Sequence, residues 1–263
     1  MYEDLLTYDL GPGVVAFTSR RDSILPCPVL TAHQVHGCRI AIVTNLLQGR
    51  ENQHDSCSAP ASGKPSQAAD IFPPEVTRDD LLGYDALITD LRDFAVGVRT
   101  ADCVPVLLYD PVHQVVAAVH AGWRGTVQYI SAKVIAQMSA SFGTRPQDLC
   151  AVIGPAIGPD SFQVGEEVVA AFSEARGGAH GNETEGFPME RIWSIRDARP
   201  GRPMSGGHHI DLFEANRRLL EQAGIPAFNI QVHDIDTYTA PDFFSARREG
   251  LGTGRNINAI KLI

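Results

Sequence analysis

No stretch of this 263-residue chain approaches the ~18 consecutive apolar residues that a membrane-spanning helix requires. Positive charge is also scarce: 22 basic residues face 31 acidic ones, for a formal charge of −9. Such a chain lacks the cationic surface that drives binding to nucleic acid or to an anionic membrane. Cysteine is sparse, and Cys27, Cys38, Cys57, Cys103 and Cys150 form neither a CxxC pair nor a dense framework. That pattern predicts reduced thiols in a reducing compartment. The opening MYEDLLTYDL is acidic and has no apolar core of the kind a secretory signal carries. A cytoplasmic protein is the expectation. There is no internal repeat, and no GxxxxGK[ST] phosphate loop.

What remains is ordinary globular material, 44% hydrophobic and 20% charged. A chain of this length can bury roughly 75% of its unfolded surface without covalent staples. Two segments interrupt the pattern, 48–75 and 175–207, both rich in small and turn-forming residues, and both read as flexible surface insertions. The apolar runs flanking them are short and must share one core, so a single domain over 1–263 is expected. DALIT (85–89), FAVGV (94–98), VPVLLY (104–109) and QVVAAVH (114–120) are short, β-rich and bounded by turn residues. From Thr126 the spacing of Val127, Ile130, Val134, Ile135 and Met138 predicts one helix ending near Gly143. LCAVIG (149–154) reads as a strand, and residues 165–175 and 211–224 as helices. FNIQVHDI and INAIKLI return to strand. Strands arriving as neighbours, with helices interspersed, predict an α/β fold of α+β character: mixed β-sheets in layers, flanked by helices.

The chemistry concentrates around TADCVPVLLYDPVHQVVAAVHAGWRGT (100–126). Asp110-Pro111 marks a turn between two apolar runs. An antiparallel hairpin would then bring Cys103, at the mouth of the first strand, beside His120, at the end of the second. HAGWRGT places Gly122 and Gly125 around Trp123-Arg124 at a strand-to-helix turn. Backbone N–H groups there, with the Arg124 guanidinium, are candidates for holding an anion. TAHQVHG supplies His33 and His36; in a strand they would point to opposite faces, so one of the two belongs to any site. FFSARREGLGTGR contributes Arg247, Arg248 and Arg255. One cysteine and two histidines suit zinc, with a further position for water or substrate. The same residues suit a Cys–His pair with Cys103 as nucleophile. Spacing alone does not separate the two.

Taken in order, HQVHG, TADCVPVLLYD, VHAGWRGT, IGPAIGP and FFSARR…GTGR resemble the YfiH/laccase-domain family over about residues 30–263, apart from the two insertions. The resemblance implies a single layered α/β domain and a metal site made by His36, Cys103 and His120. It implies zinc-dependent phosphorolysis of adenosine, inosine, guanosine and methylthioadenosine, with adenosine deaminase activity beside it. Older descriptions of the family as copper polyphenol oxidases, and others as cell-wall precursor editing factors, supply the alternatives. A multicopper site needs many histidines, and the nine here are mostly scattered in loops. A peptidoglycan-editing amidase, a Cys–His hydrolase and a non-catalytic nucleoside-binding protein are the other readings.

On that basis Cys103, His120, Asp102 and Arg124 are the candidate catalytic residues. Arg124 and Arg248, with the amides of Gly122 and Gly125, are the candidate phosphate binders. Asp102 would support the ligand set or accept a proton. The chain departs from the family pattern where Ala246 stands at a position commonly tyrosine, where no cysteine precedes FFS, and at Asp160, Ser161 and Phe162 after IGPAIGP.

Overall fold

The computed structural model describes residues 4–44, 78–175, 186–197 and 206–263. Among these residues a six-stranded mixed sheet forms the middle of the molecule. Its order is β13 (Ile230–Val232), β9 (Cys150–Ile153), β7 (Val104–Asp110), β8 (Val115–Ala121), β5 (Ala86–Thr89) and β4 (Ile40–Ile42). A second sheet runs β1 (Leu5–Tyr8), β2 (Val14–Ser19), β14 (Asn256–Leu262), β6 (Ala95–Thr100) and β3 (Val29–Thr31). A small third sheet holds β10 (Gln163–Val164), β12 (Gly207–Ile210) and β11 (Trp193–Arg196).

Strands β7 and β8 are buried along their whole length, which explains why they read as continuous apolar runs. Alternation sorts their side chains. Val115, Ala117, Val119 and Ala121 face a core shared with the helices; Val116 and Ala118 face a core shared with Val96, Val98 and Ile260 of the five-stranded sheet. The expected layered α/β architecture is therefore present, with a helical layer, a mixed sheet and a second sheet. The helices that lie wholly among the described residues are α1 (Trp123–Val127), α2 (Ile130–Phe142), α3 (Glu166–Glu174), α4 (Met189–Ile192), α5 (Leu212–Gln222) and α6 (Ala246–Glu249). Asp211 caps α5 by accepting the Glu214 N–H at 2.9 Å.

Three expectations need correction. The helix predicted from Thr126 is broken: Tyr129 adopts φ 60° between α1 and α2, so the apolar spacing spans a helical break. The region 175–207 is not wholly structureless, because α4 and β11 lie within it and β11 pairs with β12. Cysteine is not uniformly reduced: Cys38 is disulfide-bonded, whereas Cys27, Cys103 and Cys150 are free. An odd cysteine count does not exclude a single bridge. The insertion expected at 48–75 lies outside the described residues. Among those described, no helix is long and apolar enough to cross a membrane.

Candidate metal centre

The hairpin supplies two of the three candidate ligands. β7 and β8 pair antiparallel with Val104 opposite Ala121 and Pro105 opposite His120. Cys103 thus sits at the open end of the hairpin, diagonal to His120. On the other side of β8, Ala86 pairs with Val119, and the Asp85 carbonyl accepts the His120 N–H at 2.8 Å. Because β4 runs parallel to β5, the chain entering β4 passes the same sheet end. That entering chain is the HQVHG turn. The register of four strands therefore gathers residues 36, 85, 103 and 120 at one edge.

His36 is not in a strand. It occupies a left-handed turn at φ 62°, so the strand argument separating His33 from His36 does not apply. Both line the same cavity, but only His36 joins the ligand group. Two anchors hold the turn. The Gln34 amide donates to the Arg99 carbonyl at 2.9 Å and accepts the Arg99 N–H at 2.8 Å, extending the sheet by a side chain. The Asp85 carboxylate accepts the N–H groups of Val35, His36 and Gly37 at 3.3, 3.0 and 2.8 Å.

One ligand atom each from His36, Cys103 and His120 lies within 4.8 Å of the others. The two imidazoles meet edge to face, with ring centroids 4.8 Å apart. His120 is buried, Cys103 half-buried and His36 exposed. His120 Nδ1 lies 2.8 Å from an Asp85 carboxylate oxygen, which leaves Nε2 as the nitrogen available to a ligand. Burial pushes the Cys103 thiol up, but the charge and hydrogen bond of His120, with His36 behind them, more than offset it and bring the thiol down to about 6. Burial opposes the charged form of His120, yet the Cys103 thiolate and Asp85 raise its pKa. Burial likewise works against the Asp85 carboxylate, which His120 and the turn amides nevertheless hold below its ordinary range.

A thiolate and two imidazoles at this spacing are a donor set suited to zinc. A cation there would take the place of the imidazolium proton as the thiolate's counter-charge, leaving His120 neutral. In metal-stripped protein, alkylation of Cys103 is expected to be fast at neutral pH and to fall with a midpoint at about pH 6, as the thiolate takes up its proton. Cys27 and Cys150 are pushed the other way by burial, so peptide-resolved alkylation separates the three thiols. A Cys103 midpoint near the ~8.5 of an ordinary thiol contradicts the assignment.

The ligand group opens into a cavity of about 410 Å³ whose wall includes Gln34, Arg99, Ala246, Leu251, Thr253 and Arg255, a size ordinary for a small-molecule site. Ala246, the departure from the family's tyrosine, is part of that wall. Arg255 donates to the carbonyls of Leu251, Thr253 and Gly254. The other candidates are placed elsewhere. Arg124 is exposed and stacks on the Trp123 ring at 4.2 Å, away from the cavity wall. Arg248 is committed to the carbonyls of Thr237, Tyr238, Ala240 and Phe243 at 2.6, 2.8, 3.2 and 2.5 Å. In each case the guanidinium is held by a nearby partner, an aromatic face or converging carbonyls. Asp102 accepts from Thr237 Oγ1 at 2.7 Å and from the Arg247 N–H at 2.6 Å, so it ties the C-terminal segment to the hairpin. Gly122 is buried against Cys103 and His36, and Gly125 against the Gly37 carbonyl. Asp85 and Arg99 carry no motif that marks them, since DALIT offered only a strand, and Gln34 lies within HQVHG with nothing there to reveal its part in holding the turn.

A family model described as multi-copper polyphenol oxidoreductase laccase matches residues 18–263. A relative from Bacteroides thetaiotaomicron named purine nucleoside phosphorylase is 45% identical over 187 residues, covering 70% of this chain and 63% of that protein. A protein named adenosine deaminase RL5, from an unknown prokaryotic organism, is 36% identical over 228 residues, covering 86% of this chain and 72% of that one. The chain thus spans just under two thirds of the first relative's length. Among solved structures, the YfiH protein of Bacillus licheniformis superposes with a TM-score of 0.74 at 25% identity, covering 100% of this chain and 98% of that one.

Proposed function

Because the chain belongs to the multi-copper polyphenol oxidoreductase laccase family, whose relatives here carry nucleoside-enzyme names, we propose that it is a zinc-dependent purine nucleoside phosphorylase. The observation that carries this reading is the convergence of His36, Cys103 and His120 on the wall of an arginine-bearing cavity. Phosphorolysis joins a phosphate oxygen to ribose C1′ as the C1′–N bond breaks, and the purine leaves with the electron pair and gains a proton. Arg99 and Arg255 line the cavity wall, Arg255 with three of its N–H groups tied to carbonyls and donor hydrogens beyond those, and we take the two as phosphate partners in preference to Arg124 and Arg248, which lie off that wall. Leu251 and Ala246 give the same wall an apolar side for the base. Zinc held by the three side chains would supply a Lewis acid and lower the pKa of bound water, which also accounts for deamination at purine C6.

The test is turnover of adenosine, inosine, guanosine and methylthioadenosine by zinc-loaded protein, with and without phosphate. Free base and the sugar 1-phosphate (ribose 1-phosphate, or 5-methylthioribose 1-phosphate from methylthioadenosine) should appear only with phosphate. Their absence for all four nucleosides sinks the reading. Replacing Arg255 with Ala is expected to raise the KM for phosphate about tenfold or more, as for a lost charged hydrogen bond, with zinc content unchanged. An unaltered KM removes Arg255 from the phosphate site.

A second reading is favoured by the Cys103–His120 contact: a hydrolase, such as a cell-wall precursor amidase, with Cys103 as nucleophile. In that case alkylation would inactivate the untreated enzyme rapidly. A metal-bound thiolate is instead protected until a chelator removes the ion. Copper oxidase chemistry has less support, since a single group of converging His, Cys and carboxylate donors occurs among the described residues.

A further inference from the structure

We propose that Asp85 is a positioning residue for two metal ligands at once, its one carboxylate both orienting the His120 ring and clamping the turn that presents His36. The inference rests on the metal-centre reading above and adds to it how the centre is preformed. Asp85 is fully buried. One oxygen takes His120 Nδ1 at 2.8 Å and the His36 N–H at 3.0 Å; the other takes the Gly37 N–H at 2.8 Å and the Val35 N–H at 3.3 Å. Both oxygens are thus engaged by donors, so the carboxylate supports ligands without being one.

Its two tasks are physically distinct. A hydrogen bond at Nδ1 selects the tautomer that leaves Nε2 free to bind metal, and it fixes the ring's rotation. The three successive amides do something separate. His36 sits at φ 62°, a conformation an L-residue adopts only at a cost, and among the described residues Asp85 is the side chain that accepts the amides of 35–37. The turn is held open by the same charge that aims His120. Cys103 takes no part in this arrangement; Gly122 and the β7 hairpin place it. The backbone adds a further tie, because the Asp85 carbonyl accepts the His120 N–H. Asparagine cannot substitute. Its amide has one acceptor oxygen, and its NH₂ would face either the turn amides or Nδ1–H, donor against donor.

Asp85→Asn is therefore expected to weaken zinc binding about 10- to 100-fold in competition with a chromophoric chelator. The cobalt-loaded variant should keep its thiolate charge-transfer band but show altered ligand-field bands. Wild-type affinity in a folded Asp85→Asn protein overturns the proposal. Amide exchange isolates the turn: in metal-free protein, Asp85→Asn should speed deuterium exchange at the His36 and Gly37 amides at least about tenfold. Unchanged exchange in the folded variant means that Asp85 acts through His120 alone, and the two-ligand claim fails. Should the variant not fold, metal-free wild-type protein decides. The amides of His36 and Gly37 should exchange with deuterium at least about tenfold more slowly than in unstructured peptide, and unprotected amides overturn the clamp. Wild-type protein that binds no zinc would instead refute the metal-centre reading, an outcome separate from all of these.

Discussion

Replacing Cys103 with alanine is expected to abolish zinc retention and to lower phosphate-dependent cleavage of adenosine by at least about a thousandfold, roughly 4 kcal/mol of transition-state stabilisation. The size follows from what the thiolate contributes. Of the three donors it alone carries a negative charge, and His120 and His36 lower its pKa to about 6 in spite of burial. Removing it leaves two imidazoles, one of them exposed, too few donors for a tetrahedral zinc site. It also removes the charge that, with Asp85, raises the pKa of His120. Because Cys103 precedes β7 and is half-buried at the cavity wall, the fold should survive. Elemental analysis after dialysis, circular dichroism and a nucleoside assay read the three consequences separately. Full turnover in a folded Cys103→Ala protein would leave the zinc-dependent mechanism without support.

The Cys103–His120 pair was legible in sequence for a local reason, whereas the choice of His36 over His33 came only from the family resemblance. Cys103 and His120 are joined by two apolar runs of matched length around Asp110-Pro111, and a hairpin is the simplest closure of such a segment. The helices at 166–174 and 212–222 were legible because their apolar spacing lies within one element. Other features depend on contacts distant in the chain. β3 and β4 have three residues each, too few for any periodicity to register. Tyr129 at φ 60° interrupts a spacing that reads as continuous helix. Asp85 resembled the start of an ordinary strand, and its meaning depends on β4, β5 and β8 ending together, which no local pattern encodes. Which arginines line the cavity is hidden for a similar reason. Arg124 adjoins the ligand hairpin in sequence yet lies on Trp123, while Arg99, on β6 of the other sheet, reaches the cavity.

Gly122→Val is expected to weaken zinc binding at least about a hundredfold, with a matching loss of turnover, and Gly122→Ala about tenfold. The backbone does not demand glycine here. Gly122 caps α1 with φ −64° and ψ 165°, a region open to any residue. The constraint is space. A Cβ at this position would lie 3.1 Å from Cys103 Sγ and 3.3 Å from His36 Cδ2. Both neighbours belong to the ligand group, so each must yield by a few tenths of an ångström. A zinc site tolerates only about 0.2 Å of error in its bond lengths. Alanine thus perturbs two donors at once, and the branched methyls of valine exceed what side-chain rotation can absorb. Measuring zinc affinity alongside the melting temperature of the metal-free protein distinguishes this from general destabilisation. The prediction is a large loss of affinity with a metal-free melting temperature little changed. Wild-type affinity in Gly122→Val would mean that Cys103 and His36 do not jointly grip the ion beside this glycine.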